Sequence, residues 1–79
     1  MIRVLIVDDH AVVRQGIRFL LEQQPDISVI GEGSNGTQAI KLATDLLPDV
    51  ILLDLLMPEM DGVTAVREIK RITPATQII

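Results

Sequence analysis

The sequence predicts an α/β fold in which helices cover both faces of a parallel sheet. Three short apolar runs rich in β-branched residues alternate with three segments whose apolar residues recur at helical spacing. A fourth apolar run begins at the end of the sequence. Alternation of this kind is typical of a parallel sheet with helical crossovers, so we expect the order βαβαβα followed by the start of a fourth strand.

Composition is compatible with one small domain. The chain has 79 residues, and their hydrophobic content of 48% excludes a disordered segment. A formal net charge of −4 argues against nucleic-acid binding by this segment, because such binding requires basic side chains to neutralise phosphates. The absence of cysteine excludes disulfides and thiolate metal sites. No apolar run approaches the ~20 residues that span a bilayer, so we expect a cytoplasmic chain without a membrane partner.

The first strand is predicted over residues 3–7 and ends at Asp8. A helix is predicted next, because apolar residues recur one and two turns apart. These residues are Val13, Ile17, Leu20 and Leu21, with Phe19 as a further packing residue. Pro25 ends the helix. Asp9, taken alone, is equally well interpreted as a cap of this helix or as a ligand.

The second strand is predicted over residues 27–30, followed by a turn-rich loop over residues 31–36. Asn35 with Gln38 resembles a capping box at the start of the second helix. The apolar side of that helix is formed by Ala39, Ala43, Leu46 and Leu47. Pro48 ends it.

The third strand, Val50–Leu53, is apolar at every position, which is typical of a central strand covered on both faces. It ends at Asp54. Asp61 is a plausible N-cap for a third helix that ends near Pro74. The apolar residues of that helix are Val63, Val66 and Ile69. Residues 77–79 form the start of a fourth strand.

Three carboxylates follow predicted strands, Asp8 and Asp9 after the first and Asp54 after the third. Open α/β sheets bind ligands at the carboxyl ends of their strands, so these carboxylates converge if the two strands are neighbours. Mg²⁺ is the cation that suits them, because it prefers oxygen ligands and is held by few carboxylates. A carboxylate beside Mg²⁺ can also act as a nucleophile towards a phosphoryl group. His10 is interpreted as an exposed loop residue, since the sequence offers no second His or Cys.

With these residues in place, the sequence resembles the receiver domain of two-component response regulators. The matching features are the pair Asp8-Asp9, then Asp54, Met57-Pro58 and Gly62. Residues 7–10, 14–16 and 35–36 resemble the subfamily whose output is a LuxR-type helix-turn-helix DNA-binding domain. The resemblance implies a doubly wound, flavodoxin-like receiver fold with strand order 2-1-3-4 over this chain.

The resemblance also implies a role for each site residue. Asp54 is expected to be the phospho-acceptor and a magnesium ligand, and Asp9 the direct carboxylate ligand of Mg²⁺. Asp8 is expected to act partly through water, and the backbone carbonyl of Leu56 to supply a further ligand. The implied partner is a sensor histidine kinase, and DNA would be bound only by an output domain outside this sequence. We therefore expect a regulatory module rather than an enzyme.

The family also uses a Ser or Thr after strand 4 and a Lys after strand 5, and the sequence ends before both positions. Lys41 and Lys70 lie in predicted helices and cannot replace that Lys. We therefore expect residues 1–79 to be a partial receiver domain that accepts phosphate poorly. An open strand edge predicts self-association as a homodimer, with Val50–Leu53 and residues 77–79 in or beside the contact.

Two alternatives remain. Gly31, Gly33 and Gly36 fit the G-x-G-x-x-G pattern of a dinucleotide-binding βαβ module. Against this, the loop would follow an edge strand, Glu32 would place negative charge against pyrophosphate, and the strand-end Asp pair would have no role. The other alternative is an inactive, self-associating scaffold fragment, natural or engineered, that retains receiver residues.

Overall fold

The computed structural model describes residues 1–54 and 62–79, which form a parallel sheet and three helices. The strands are β1 (Ile2–Val7), β2 (Ile27–Gly33), β3 (Val50–Leu53) and β4 (Gln77–Ile78). The helices are α1 (Ala11–Glu22), α2 (Gly36–Leu46) and α3 (Gly62–Ile72). The strand order is β2-β1-β3-β4 and every pairing is parallel, so the predicted fold class and strand order are confirmed.

The main core lies between the sheet and helices α2 and α3. Alternate residues of β1 and β3 point to this side, as the period of two in a strand requires. The buried cluster is Leu5, Val7, Ala39, Ala43, Ile51, Leu53, Ala65 and Ile69. Because three of these residues are alanines on the helices, the helices approach the sheet closely and the large β-strand side chains fill the space between them. Burial of each large aliphatic side chain contributes roughly 1.5–3 kcal/mol.

The opposite face of the sheet is covered less completely. Helix α1 packs over β1 and β2 and has no fully buried residue. A groove of about 400 Å³ lies beside it, lined in part by Ile17, Leu52 and Ile79. The expectation that β3 is covered on both faces is therefore wrong for the part of the chain described: Ile51 is buried on one face, whereas Leu52 is half-buried on the other.

The apolar stripe predicted for α1 is only partly buried. Ile17 and Leu21 are half-buried, whereas Val13 and Leu20 are exposed. Phe19, predicted to pack, is 65% exposed. The physical reason is that α1 lies over β1 and β2, so the side chains on the side of the helix that faces away from these two strands stay exposed.

Strand β2 is longer than predicted and runs through Gly33 instead of ending in a loop at residue 31. Its last residues pair with the end of β1, Glu32 with Ile6 and Gly33 with Val7. A Cβ on Gly31 would lie 3.1 Å from Leu46 Cδ1, so this glycine allows α2 to pack closely. Gly31 therefore serves packing, and both Gly31 and Gly33 belong to a strand and not to a phosphate-binding loop.

Helix α2 begins as predicted, with one change. The Oδ1 of Asn35 accepts a hydrogen bond from the N–H of Gln38 at 2.8 Å, so Asn35 is the N-cap. Gln38 Oε1 accepts from the N–H of Ser34 at 2.7 Å, whereas a capping box would use the N–H of Asn35. The start of α2 is thus fixed by two side chain–backbone bonds.

The end of α2 differs from the prediction. Leu47 does not belong to the apolar side of the helix, because it is 60% exposed and caps the helix in the left-handed conformation, with φ of 48°. The guanidinium of Arg3 donates to the carbonyl oxygens of Leu46 and Leu47 at 2.7 and 2.8 Å. These bonds satisfy carbonyls that a helix end leaves unpaired, and they attach α2 to the start of β1.

Helix α3 buries Ala65 and Ile69, but Val63, predicted to be in its apolar stripe, is 61% exposed. The predicted cap Asp61 and the segment 57–58 lie outside the described residues. None of the helices described has both the length and the apolar character needed to cross a bilayer.

Candidate functional site

Strand pairing places Asp8 and Asp54 side by side. Val7 and Leu53 are partners in the β1–β3 register, and each is followed by an aspartate. The N–H of Asp54 donates to the carbonyl oxygen of Val7 at 3.0 Å, and the N–H of Asp8 donates to that of Gly33 at 3.1 Å. The aspartates therefore lie at the carboxyl edge of the sheet, where parallel α/β folds bind ligands.

Four side chains meet at this edge: Asp8, Asp9, His10 and Asp54. Each offers one ligand atom, and these atoms all lie within 4.8 Å of one another. The structure thus brings together the three carboxylates predicted from the sequence and adds the imidazole of His10. Leu56, the fourth predicted ligand, lies outside the described residues.

Asp8 shapes the turn between β1 and α1. Its Oδ1 accepts a hydrogen bond from the N–H of His10 at 2.8 Å and another from His10 Nδ1 at 2.9 Å. The N-cap of α1 is His10 and no side chain caps the helix, so the alternative reading of Asp9 as the cap is wrong. Both carboxylates precede the first turn of α1, whose positive dipole end favours negative charge.

Asp9 has a buried oxygen without a hydrogen bond. Its Oδ1 lies 3.0 Å from His10 Nδ1, but that nitrogen is directed to Asp8, and Asp9 Oδ1 has no hydrogen-bond partner in the described chain. A buried carboxylate oxygen is costly unless a donor or a cation satisfies it. Most of the ligand atoms in the cluster are carboxylate oxygens, which Mg²⁺ prefers. Because Mg²⁺ keeps several of its water ligands, it can bind some of these carboxylates through water. The residues therefore fit Mg²⁺.

The electrostatics of the cluster couple Asp8 to His10. Burial by itself would raise the pKa of Asp8, but the hydrogen bonds from His10 and the charges of His10 and Arg14 hold that pKa below its ordinary value. The pKa of His10 is raised, first by its hydrogen bond to Asp8 and then by the negative charges of Asp9 and Asp54. The imidazolium thus offsets part of the repulsion among the carboxylates.

Arg14 and Glu32 lie next to the cluster and are not identified as site residues from the sequence. Arg14 donates to the carbonyl oxygen of Asp8, and Glu32 accepts from both Arg14 and Arg18. From the sequence, Arg14 stands out only within the family resemblance and Glu32 only as a charge that opposes pyrophosphate binding. Glu32 lies in β2 and its carboxylate accepts hydrogen bonds from two arginines of α1. The segment is therefore a strand and not a pyrophosphate-binding loop, and this geometry gives the dinucleotide-binding alternative no support.

The chain is similar in sequence to a known protein family and to curated proteins. Residues 4–79 match the family model of the response regulator receiver domain. The chain is 56% identical over 71 residues to the transcriptional regulatory protein LiaR of Bacillus subtilis, covering 90% of this chain and 34% of that protein. It is 53% identical over 73 residues to a protein-glutamate methylesterase/protein-glutamine glutaminase of Alkalilimnicola ehrlichii, covering 92% of this chain and 19% of that one. The chain thus spans about a third of the length of the first of these curated relatives and about a fifth of the second.

A solved structure shows the same fold. A LuxR-family two-component response regulator from Aurantimonas sp. SI85-9A1 superposes with a TM-score of 0.93 at 35% identity. The match covers 99% of this chain and 56% of that chain. The strand order and the placement of the helices are therefore those found in a two-component response regulator.

We predict that replacing Asp8 by Asn lowers the pKa of His10 towards the ordinary value of 6.5, because the largest cause of the increase is removed. NMR titration without added divalent cation measures this directly, since His10 is the single histidine of the sequence. In the wild type, the stabilisation that the His10–Asp8 contact gives to the fold is fully present below pH 6.5, the ordinary pKa of the imidazole. It is lost as the pH rises through the higher pKa that His10 has in the folded chain. Asp26→Asn, on an exposed residue after α1, is the control, and an equal change in both variants would contradict the prediction.

Proposed function

This chain belongs to the response regulator receiver domain family, and from that premise we propose that Asp54 is its phospho-acceptor and that its strand-end carboxylates bind Mg²⁺. The observation that carries the proposal is the convergence of Asp8, Asp9 and Asp54 at the ends of two paired strands. A sensor histidine kinase is the proposed phosphoryl donor.

Asp9 and Asp54 are the proposed direct ligands of Mg²⁺, with Asp8 acting partly through water and the Leu56 carbonyl as a further ligand. The buried Oδ1 of Asp9 supports this assignment, because it has no hydrogen-bond partner in the described residues and a metal cation would satisfy it. Asp8 is already bonded to His10, which favours an indirect role for its carboxylate. Bound Mg²⁺ would supply positive charge that offsets the charge on the transferring oxygens.

In the proposed reaction, a carboxylate oxygen of Asp54 attacks the phosphorus of a phosphohistidine. The new O–P bond forms as the P–N bond breaks, and the departing imidazole keeps the electron pair and takes up a proton. The product is an acyl phosphate on Asp54. The chain contributes position: the backbone of Asp54 is held by its hydrogen bond to Val7, so its side chain stays at the sheet edge.

For the whole protein we propose a location in the cytoplasm and a function in the control of transcription. Residues 1–79 would form part of a receiver domain, and phosphorylation would bias a two-state equilibrium that governs an output domain. DNA binding would belong to that output domain, as the relation to LiaR and to a LuxR-family regulator supports. The methylesterase relative supports the alternative of an enzymatic output domain, since its receiver segment is similarly close to this chain.

We predict that Asp9→Asn and Asp54→Asn each weaken Mg²⁺ binding by about ten-fold or more, because each removes a formal charge from one oxygen-rich site. Calorimetric titration with MgCl₂ measures the affinity. Asp26→Asn is the matched control, since it removes the same charge from an exposed position outside the cluster. Equal losses in all three variants would refute the site assignment.

We also predict that the 79-residue chain by itself is labelled slowly by a small acyl phosphate, at Asp54 and only with Mg²⁺. Both lysines of the sequence lie in helices, Lys41 in α2 and Lys70 in α3, so neither ends a strand where it could bind the phosphoryl oxygens. A cationic group positioned at the phosphoryl oxygens typically stabilises the transition state by a few kcal/mol. Intact-mass spectrometry follows the reaction, with Asp54→Asn as the unlabelled control. Rapid, stable labelling, or labelling in that variant, would contradict the account.

Self-association as a homodimer is a further part of the proposal. Strand β3 is paired on both sides, with β1 and β4, so Val50–Leu53 cannot supply an open backbone edge. The edge proposed for pairing is β4. The N–H groups of Gln77 and Ile79 donate to the carbonyl oxygens of Asp49 and Ile51, and strand alternation therefore directs the N–H of Ile78 away from the sheet. Outward backbone groups at a strand edge favour pairing with a second chain.

We predict that the chain sediments as a dimer at micromolar concentration and that Ile78→Pro shifts it to monomer. Among the backbone hydrogen-bonding groups, proline at this position removes only the outward N–H and leaves the bonds from Gln77 and Ile79 in place. Ile78→Ala is the control for loss of the side chain and should remain dimeric. A folded wild-type monomer would refute self-association, and a dimeric Ile78→Pro variant would refute the β4 edge as its site.

A further inference from the structure

Arg14 connects the strand-end carboxylates to the neighbouring strand. It lies in the first turn of α1, and its side chain is only 19% exposed. Its Nη1 donates to the backbone carbonyl oxygen of Asp8 at 2.6 Å, and its Nε donates to Glu32 Oε1 at 3.3 Å. A guanidinium is planar and rigid, so two acceptors at different nitrogens hold it in one orientation.

The carbonyl that Arg14 contacts belongs to the peptide unit joining Asp8 to Asp9. That unit is planar, so fixing its oxygen also fixes the N–H and the Cα of Asp9. On the other side of Asp8, its N–H is held by the carbonyl oxygen of Gly33. The direction in which the Asp9 side chain leaves the backbone therefore depends on a peptide plane that Arg14 holds. The same side chain carries the buried oxygen without a hydrogen bond.

Glu32 holds Arg14 in place and offsets its charge. Its two carboxylate oxygens are divided between the two arginines, Oε1 to Arg14 and Oε2 to Arg18. The pKa of Glu32 is lowered, mainly by the hydrogen bond from Arg18, so the carboxylate stays ionised. An uncompensated guanidinium beside the carboxylates would repel a divalent cation, and the Glu32 charge reduces that repulsion.

We propose that Arg14, held by Glu32, is a positioning residue of the Mg²⁺ site that fixes the Asp8–Asp9 peptide and thereby presents the Asp9 carboxylate to the cation. The inference rests on the proposed function, because it requires that the strand-end carboxylates bind Mg²⁺. It assigns to a residue of α1 and a residue of β2 an effect on the Asp9 carboxylate that is transmitted through the Asp8–Asp9 peptide.

The test measures Mg²⁺ affinity by calorimetry and thermal unfolding in parallel, on the wild type and four variants. The variants are Arg14→Lys, Arg14→Ala, Glu32→Gln and Arg18→Ala. Lysine keeps the charge but presents one nitrogen, which cannot bond Asp8 and Glu32 with the guanidinium geometry. Arg18→Ala is the matched control, because Arg18 bonds Glu32 without contacting Asp8.

We expect both Arg14 variants to bind Mg²⁺ about ten-fold or more weakly, as is typical when a partner behind a metal ligand is lost. Glu32→Gln should show a smaller loss in the same direction, and Arg18→Ala should keep the wild-type affinity. A merely structural role would instead lower the unfolding temperature of the Arg14 and Arg18 variants alike and leave Mg²⁺ affinity unchanged. If Arg14→Ala does not fold, Arg14→Lys and Glu32→Gln decide the question.

Wild-type affinity in Arg14→Lys would overturn the inference while leaving the proposed function intact. An equal loss in Arg18→Ala would also overturn it, since the effect would then come from loosening α1 as a whole. A wild-type chain that does not bind Mg²⁺ would overturn the proposed function and the inference together, so the two failures are distinguishable.

Discussion

Repulsion among three carboxylates at adjacent strand ends is the constraint around which this structure is organised. Parallel pairing of β1 with β3 sets Asp8 and Asp54 next to each other, and the chain then adds Asp9 before the first helix begins. Like charges at this distance raise the energy of the fold unless something offsets them. The imidazole of His10 and the positive dipole end of α1 offset part of the charge, and a divalent cation would offset more.

The surrounding structure holds the cluster from several directions. The backbone of Asp8 is bound on one side by β2 and on the other by Arg14, while the backbone of Asp54 is bound by β1. Val7 and Leu53, the residues before Asp8 and Asp54, are buried, so close packing limits the freedom of the backbone from which these two side chains extend. The α2/α3 face supplies this rigidity, whereas the α1 face is more open and leaves a groove beside the cluster.

Much of the fold was predictable because it depends on local patterns. Apolar runs of four to six residues predicted β1 and β3, helical spacing predicted three helices, and the aspartates after these strands predicted a site. Features that depend on contacts distant in sequence were not predictable. The Arg14–Glu32 pair joins residues 18 positions apart, and the role of Gly31 in β2 depends on its close approach to Leu46 of α2. Leu47 was misassigned because helical period alone does not show where a helix ends.

The most direct test of the central claim is an anomalous difference map from crystals of this chain grown with MnCl₂. Mn²⁺ replaces Mg²⁺ well, because both favour oxygen ligands in octahedral geometry. The account predicts one strong peak at the ends of β1 and β3, within coordination distance of carboxylate oxygens of Asp9 and Asp54. A map with no peak at these strand ends, or with peaks only at other acidic residues, would contradict it.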